Sequence, residues 1–498
     1  MKARLHRLSG LTVLAISMLL VTAAQVIGAG SKEPVSVPDF TKGEVIPDGA
    51  NHDWNLGATG LRGWIYTNQM STADARQIYI TKVDKGSPAD AILAVGDVIL
   101  GVGDKAFSYD PRTEFGKALT AAESEAGGGN LSLIRWRGGK TEMVVVNLPV
   151  LGAYSATAPY DCPKSRRILE QGCQALAKRI AQPNYRQNAI TRSLNALALL
   201  ASGNPEYLPL VKREAQWAAG YSSSGFQTWW YGYVISFLAE YEMATGDESV
   251  MPGLRRLALE AASGQSIVGS WGHGFAEPDG RCGGYGMMNA PGLSLTISLI
   301  LAREAGVNDA IVTQAIDRSV RLLHFYAGKG SIPYGDHVPW IQTHEDNGKN
   351  GMAAVMFNLL GDAQAAEYFS RMAIASHGNE RDYGHAGNIW NILWSMPGVV
   401  QSGPNAAGVW MSEFGAWYYD LAREWDGTFG YQGPPELVHN GYKGAAKPLL
   451  PRLVELEKQL EQHREAKMLQ SRTELLRKII AKIKADENPP TLRSIKDL

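Results

Sequence analysis

The stretch Ile78–Lys105, IYITKVDKGSPADAILAVGDVILGVGDK, decides how the first part of the chain reads. Ile78, Ile80 and Val83 form one apolar run, and Val98, Ile99, Leu100 and Val102 form a second, each of strand length. Gly86-Ser87-Pro88 ends the first run, and Gly96-Asp97 turns the chain tightly into the second. A short helix fits between them. Upstream lies GATGLRGWIY, residues 57–66. Its Gly60 and Gly63 let the backbone turn so that successive N–H groups face one point, a nest suited to a carboxylate. Ile65 and Tyr66 then begin a strand to which an extended peptide can add. Downstream, Thr113–Glu125 has the spacing of an amphipathic helix. LSLIRWRGGKTEMVVVNL, residues 131–148, reads as a hairpin around Gly138-Gly139.

Over residues 50–150 this order of elements resembles a PDZ domain. The resemblance implies capture of a peptide or protein C-terminus by Leu61, Arg62, Gly63, Trp64, Ile65 and Tyr66. Arg62 inside the loop and bulky Trp64 at its end depart from the common motif, so a blocked groove is the competing reading. The resemblance points to a partner class and not to a reaction.

The chain has 498 residues, of which 45% are hydrophobic, enough for two or three domains with large cores. A net charge of −1 gives no reason to expect nucleic acid or an anionic membrane as partner. Lys2, Arg4 and Arg7 precede an apolar run from Leu11 to Val21 and then small residues, which is the pattern of a secretory signal peptide over 1–30. The run is short for a membrane span. The sequence therefore predicts an exported protein, periplasmic or extracellular, with no stable membrane span after processing; an uncleaved anchor is the alternative. Residues 31–49 read as a linker. Three cysteines, Cys162, Cys173 and Cys282, leave at least one unpaired within the chain. Cys162 and Cys173 stand eleven residues apart. Along a continuous helix that is about 16 Å, too far for a bridge.

From about residue 160 the apolar period changes from 2 to 3.6. Paired helices are expected near 188–201 and 205–219, 226–245 and 250–263, 290–305 and 308–326, 347–360 and 363–376, and 385–396 and 404–424. The pairs are unevenly spaced, and the loops swell at 264–289 and 327–346. Asn289-Ala290-Pro291-Gly292, Asn350-Gly351-Met352 and Ala386-Gly387-Asn388 begin first helices with a capping asparagine and small residues that let helices crowd. The loop GSWGHGFAEPDGRCGGYG, residues 269–286, resembles the Gly-Trp-Gly loops of terpenoid-cyclase-like toroids. Residues 160–430 as a whole resemble a bacterial helical family in which a PDZ domain precedes such a domain. No catalytic residues come with that resemblance. The expected fold class is multidomain α+β: a small PDZ β-barrel-like domain, then a mostly α, α/α-toroid-like domain. A charged helical tail follows at 446–487, with Leu453, Leu456, Leu460 and Leu469 on one stripe.

Three loops gather the polar candidates. His273, His337, His344, Asp346, Asp382, Tyr383 and His385 are the candidate catalytic set, expected on one rim. A His or Tyr beside a carboxylate suits general acid–base work on a sugar, with Trp271, Tyr285 and Trp340 stacking on sugar faces. No cofactor is expected; zinc held by Asp279, Cys282 and His385 is the weaker alternative, because no second Cys is near. The leading reading is an exported protein that binds peptide or protein C-termini, with the toroid as a second binding surface. The rival is a glycan-active hydrolase or lyase docked through its PDZ domain, with carbohydrate as substrate.

Overall fold

A computed structural model describes residues 37–430 and 432, except 51, 69–70, 225–226, 340–346, 377–380, 382–388. The expected signal segment and helical tail lie outside the described residues. A single turn of 3-10 helix, Phe40–Lys42, is capped by the Asp39 carboxylate and belongs to a separate N-terminal unit. From Asp48 onward the chain forms one compact unit.

That unit begins with an antiparallel sheet. Its strands are β1 (Trp54–Asn55), β2 (Leu61–Trp64), β3 (Ile78–Val83), β4 (Val98–Val102), β5 (Lys105–Ala106), β6 (Asn130–Arg137) and β7 (Lys140–Asn147). The order is β1-β2-β3-β4-β6-β7, with β5 paired to β4. The two apolar runs of the opening stretch pair with each other as β3 and β4, Ile78 opposite Ile99. Gly138 and Gly139 both have positive φ, 54° and 83°, which fits the two-residue β6–β7 turn. Helix α1 (Pro111–Ala122) starts where the Asp110 carboxylate accepts from the Arg112 and Thr113 amides, with Pro111 in the first turn. It buries Phe115 and Leu119 against the sheet.

The helical part opens with α2 (Pro163–Ile180), which contains Cys173; Cys162 caps it, its sulfur accepting from the Ser165 amide. All three cysteines are free thiols. Then come α3 (Ala189–Ala201) with α4 (Leu208–Ala219), α5 (Gln227–Thr245) with α6 (Met251–Ser263), α7 (Asn289–Glu304) with α8 (Ala310–His324), and α9 (Asn347–Leu359) with α10 (Ala363–Ala375). The last pair is α11 (Ile389–Val399) with α12 (Pro404–Trp410), which continues through a wide π-turn, Met411–Gly415, into α13 (Ala416–Ala422).

The two helices of a pair play different parts. Every residue from Asn289 to Ala302 of α7 is buried, whereas α8 buries Val312, Ala315, Ile316, Ser319 and Leu323, a single stripe. The first helices form an inner row, α3 on α5, α5 on α7, α7 on α9 and α9 on α11; α4, α6 and α8 pack outside it. Close crossings need small residues. A Cβ on Gly351 of α9 would lie 2.1 Å from the Trp394 carbonyl of α11, so only glycine fits there.

The chain then returns to the sheet. Phe414, Trp417, Tyr418 and Leu421 share one core with Trp54, Leu56, Phe115 and Leu119. Burying each such side chain is worth about 1.5–3 kcal/mol. The sheet and the last helices are therefore packed as one body rather than strung on a linker.

Candidate functional site

The loops that lead into the inner helices are fastened to each other at the helix starts. In α5, the Thr228 hydroxyl lies 2.7 Å from the Gly272 carbonyl and 2.9 Å from the His273 carbonyl. The Trp229 indole N–H donates to Nδ1 of His273 at 3.0 Å. An Nδ1 that accepts leaves the proton of the neutral ring on Nε2. Burial pushes the His273 pKa down, so the neutral ring dominates at neutral pH. The Tyr285 ring stands edge-on to His273 at 5.7 Å and is 79% exposed.

Asn289 was expected to cap α7, but its side chain instead donates to the Pro333 and Gly335 carbonyls, both at 2.9 Å. Its backbone amide donates to the Tyr334 carbonyl at 2.8 Å. Asn350 in α9 repeats the device: its amide donates to Ser331 Oγ at 3.1 Å and its carbonyl oxygen accepts from the Ile332 amide at 3.3 Å. Asn391 in α11 accepts from the Gly348 amide at 3.1 Å. Asn289 and Asn350 thus tie the 327–339 loop to the N-terminal ends of α7 and α9, Asn391 ties α11 to the start of α9, and Thr228 of α5 holds the 264–288 loop. His337, exposed, sits in the 327–339 loop, where its carbonyl accepts from the Tyr326 hydroxyl at 3.2 Å.

Of the seven candidate catalytic residues, His273 and His337 thus lie in loops joined at the start of α7. His344, Asp346, Asp382, Tyr383 and His385 lie outside the described residues, as does Trp340. Trp271 cannot stack on a ligand: it is fully buried and its indole N–H donates to the Ala261 carbonyl at 2.8 Å. Beneath the same loop a Tyr–carboxylate pair does occur. The Tyr231 hydroxyl donates to Glu260 at 2.7 Å, and burial followed by that hydrogen bond pushes its pKa up to about 12. Tyr231 is buried and packs edge-on against Phe275, so the pair braces the loop. Asp279 is exposed and its carboxylate accepts from the Arg281 amide. Burial raises the Cys282 thiol pKa. Among the described residues no group of three His, Cys, Asp or Glu side chains is placed to hold a metal ion.

The expected peptide groove has a different surrounding. The strand was expected to begin at Ile65 and Tyr66; it runs instead over Leu61–Trp64, and positive φ falls at Gly57 and Gly60, not at Gly63. The edge of β2 away from β3 carries β1, with Trp54 opposite Gly63 and Asn55 opposite Arg62. Leu61, Gly63, Trp64 and Ile65 are buried, and Tyr66 is half-buried. The Arg62 guanidinium is held by Asp53, Nε to Oδ1 at 2.6 Å. Helix α13 lies over the Gly57–Thr59 turn and along α1. A Cβ on Gly57 would come within 2.6 Å of the Asp420 carbonyl, and one on Gly116 within 3.0 Å of the Trp417 carbonyl. The Ala422 carbonyl accepts from Asn55 Nδ2 at 3.2 Å.

A buried ionic cluster locks this contact. Lys164 Nζ lies 3.0 Å from Glu123 and 2.9 Å from Asp420, and all three side chains are fully buried. Arg423 pairs with Glu123, and Asp420 also accepts from Thr120 at 2.8 Å and from Tyr154 at 2.9 Å. Burial and the neighbouring Asp420 push the Glu123 carboxyl up. Burial also works to raise Asp420, but Lys164 and Arg423 outweigh it and hold that carboxyl down. Two cations and two anions balance. Desolvation offsets much of the attraction within such a set, but removing one member strands the others in a buried site. Sequence reading missed these four residues because nothing local marks them.

A family model described as a domain of unknown function (DUF6288) matches residues 165–450. No curated protein matches the chain, and no solved structure does. The matched segment starts inside α2, takes in every helical pair and covers more than half the sequence, so the chain belongs to the DUF6288 family.

Proposed function

We propose that this is an exported, non-enzymatic binding protein. A PDZ-like module is closed on its own chain, and an α/α-toroid-like helical domain binds carbohydrate at the loop face beside α5, α7 and α9. The observation that carries this reading is the layered set Trp229, His273 and Tyr285. Trp229 donates to Nδ1 of a half-buried neutral imidazole, and an exposed aromatic ring stands beside it. Exposed aromatic surface among polar side chains suits the apolar faces and hydroxyls of a sugar ring. What supports closure of the module is helix α13 lying over the Gly57–Thr59 turn. A C-terminal peptide reaches that turn only if α13 leaves. What supports export is the basic start followed by the apolar run Leu11–Val21.

The test is calorimetric titration of the full chain with a panel of oligosaccharides, followed for turnover by chromatography. Binding without turnover is expected, weakened about tenfold in Tyr285→Ala, a loss of about 1.4 kcal/mol. Cleavage of any member of the panel would give the glycan-active enzyme instead. Absence of binding, or equal binding by Tyr285→Ala, overturns the carbohydrate reading.

A further inference from the structure

The two edges of the sheet are finished differently. At β1 the chain covers its own edge: Asn55 Nδ2 donates to the Ala422 carbonyl at 3.2 Å, and Gln432 Nε2 donates to the Asn55 carbonyl at 3.3 Å. At the other edge β7 has eight residues against two in β1, and among the described residues it pairs with β6 alone. The two-residue turn makes Arg137 and Lys140 a hydrogen-bonded pair, so Glu142, Val144 and Val146 also turn their backbone groups toward β6. The N–H and C=O groups of Thr141, Met143, Val145 and Asn147 face the other way, and no described residue meets them.

Val146 is buried in one core with Leu131 and Leu133, so Met143 and Val145, out of phase with it, stand on the opposite face of the sheet. They are 53% and 42% exposed. Beside them on β6, Ile134 and Trp136 are half-buried, where an outward strand face commonly carries polar residues. Edges are usually blunted by proline, bulges or inward charges. β7, KTEMVVVN, has no proline or glycine, and its register with β6 is unbroken from Asn130 opposite Asn147 to Arg137 opposite Lys140. Its Glu142 carboxylate is taken up by Arg135. The strand that fits this edge is β7 itself. In an antiparallel pair about a two-fold axis at Val144, Met143 of each copy stands opposite Val145 of the other, and Thr141 opposite Asn147. The four outward-facing residues of each copy then exchange their backbone hydrogen bonds. Lys140 and Glu142 meet Leu148 and Val146, so no like charges stand opposite each other.

We propose that β7 is an interface between two copies of this chain, which join edge to edge into one continuous antiparallel sheet. The experiment is sedimentation velocity of the full chain over a range of concentrations, with disulfide trapping. A reversible dimer is expected. An edge contact alone falls short of the standard interface of about 1,600 Å², so dissociation on dilution is part of the expectation. Val145→Pro removes one outward N–H and leaves the β6–β7 bonds in place, so the dissociation constant should rise about tenfold. Met143→Lys should weaken the dimer without touching the backbone, by setting a charge against Val145 of the other copy. Val144→Cys, combined with Cys282→Ser, should form a disulfide across the axis, because the two positions make a close pair with Cα atoms about 4.5 Å apart. Where Val145→Pro does not fold, Met143→Lys and the trapping decide. A full chain that stays monomeric, a dimer unweakened by Met143→Lys, or no trapped dimer overturns the proposal. So does a monomer whose 141–147 amides resist exchange, because a segment of the chain itself would then cover the edge.

Discussion

Lys164 Nζ lies 2.9 Å from Oδ2 of Asp420, and both side chains are fully buried although 256 residues separate them. The start of the helical region is thereby tied to the helix that lies on the sheet. Removing one member of a buried, charge-balanced set strands its partners. Lys164→Met should therefore cost about 3–5 kcal/mol. Chemical denaturation with the fluorescence of Trp417 and its neighbours as probe measures this. A loss under about 1 kcal/mol would mean the cluster is hydrated and screened.

The two carboxylates of that cluster respond to pH in opposite senses. Asp420 is held down, so its contribution is complete above the unfolded carboxylate value and is lost as pH falls through the folded one. Glu123 is pushed up, so its ionisation as pH rises opposes the fold. Asp420→Asn is expected to flatten the acid side of the stability curve, and Glu123→Gln to remove the decline above the unfolded value. Urea midpoints between pH 3 and 7 would show it, a range set by ordinary carboxylate values of about 4. Identical curve shapes for wild type and both variants would contradict the assignment.

How much of this could be read beforehand depended on whether the signal was local. The helix pairs were legible: α3 was expected at 188–201 and spans Ala189–Ala201, because an apolar stripe or an all-apolar run repeats within a few residues. The strands β3 and β4 were legible for the same reason, but the short helix expected between them is a run of turns. Trp271 and Tyr285 looked alike in a glycine-rich loop, yet one is buried and the other 79% exposed; burial is set by α6 and α7, not by the loop. Glu123, Lys164, Asp420 and Arg423 look in sequence like ordinary surface charges. Only the packing of α13 on α1 brings them together, and no spacing encodes that.

The neutral tautomer of His273 gives a second pH dependence. Burial depresses its pKa, so the unfolded chain binds the proton more readily than the folded one. Stability from this group is therefore present at neutral pH and lost as pH falls through the window below about 6.5, the unfolded value. Nitrogen-15 shifts of the imidazole should show the proton on Nε2 at neutral pH. Trp229→Phe, which removes the donor to Nδ1, should mix the tautomers and cost about 0.5–1.5 kcal/mol. An unchanged tautomer population in that variant would show that other contacts set the ring.

Gly57 tests the contact between sheet and helix directly. Its φ of 73° disfavours any side chain, and a Cβ would stand 2.6 Å from the Asp420 carbonyl. Gly57→Ala should cost more than the roughly 1 kcal/mol of backbone strain alone, because α13 must shift as well. Amide exchange should then quicken in 416–422 and along α1. Strain confined to the turn would leave α13 protection unchanged and would mean that helix is held by its aromatic core alone.

Asn289 carries the loop face. Its amide bridges two carbonyls of the 327–339 loop while its own backbone amide takes a third. Asn289→Ala leaves the Pro333 and Gly335 carbonyls without these donors and should cost about 1–3 kcal/mol. Asn289→Asp is the sharper test, since a carboxylate cannot donate to either carbonyl and would face both oxygens. It should loosen the 327–339 loop, weaken saccharide binding and leave the sheet–α13 contact intact. Proteolysis restricted to the 327–339 loop would report the first effect, and titration the second. If Asn289→Asp binds saccharide as wild type does, the ligand surface does not depend on this loop. The site would then have to rest on the Trp229, His273 and Tyr285 set alone.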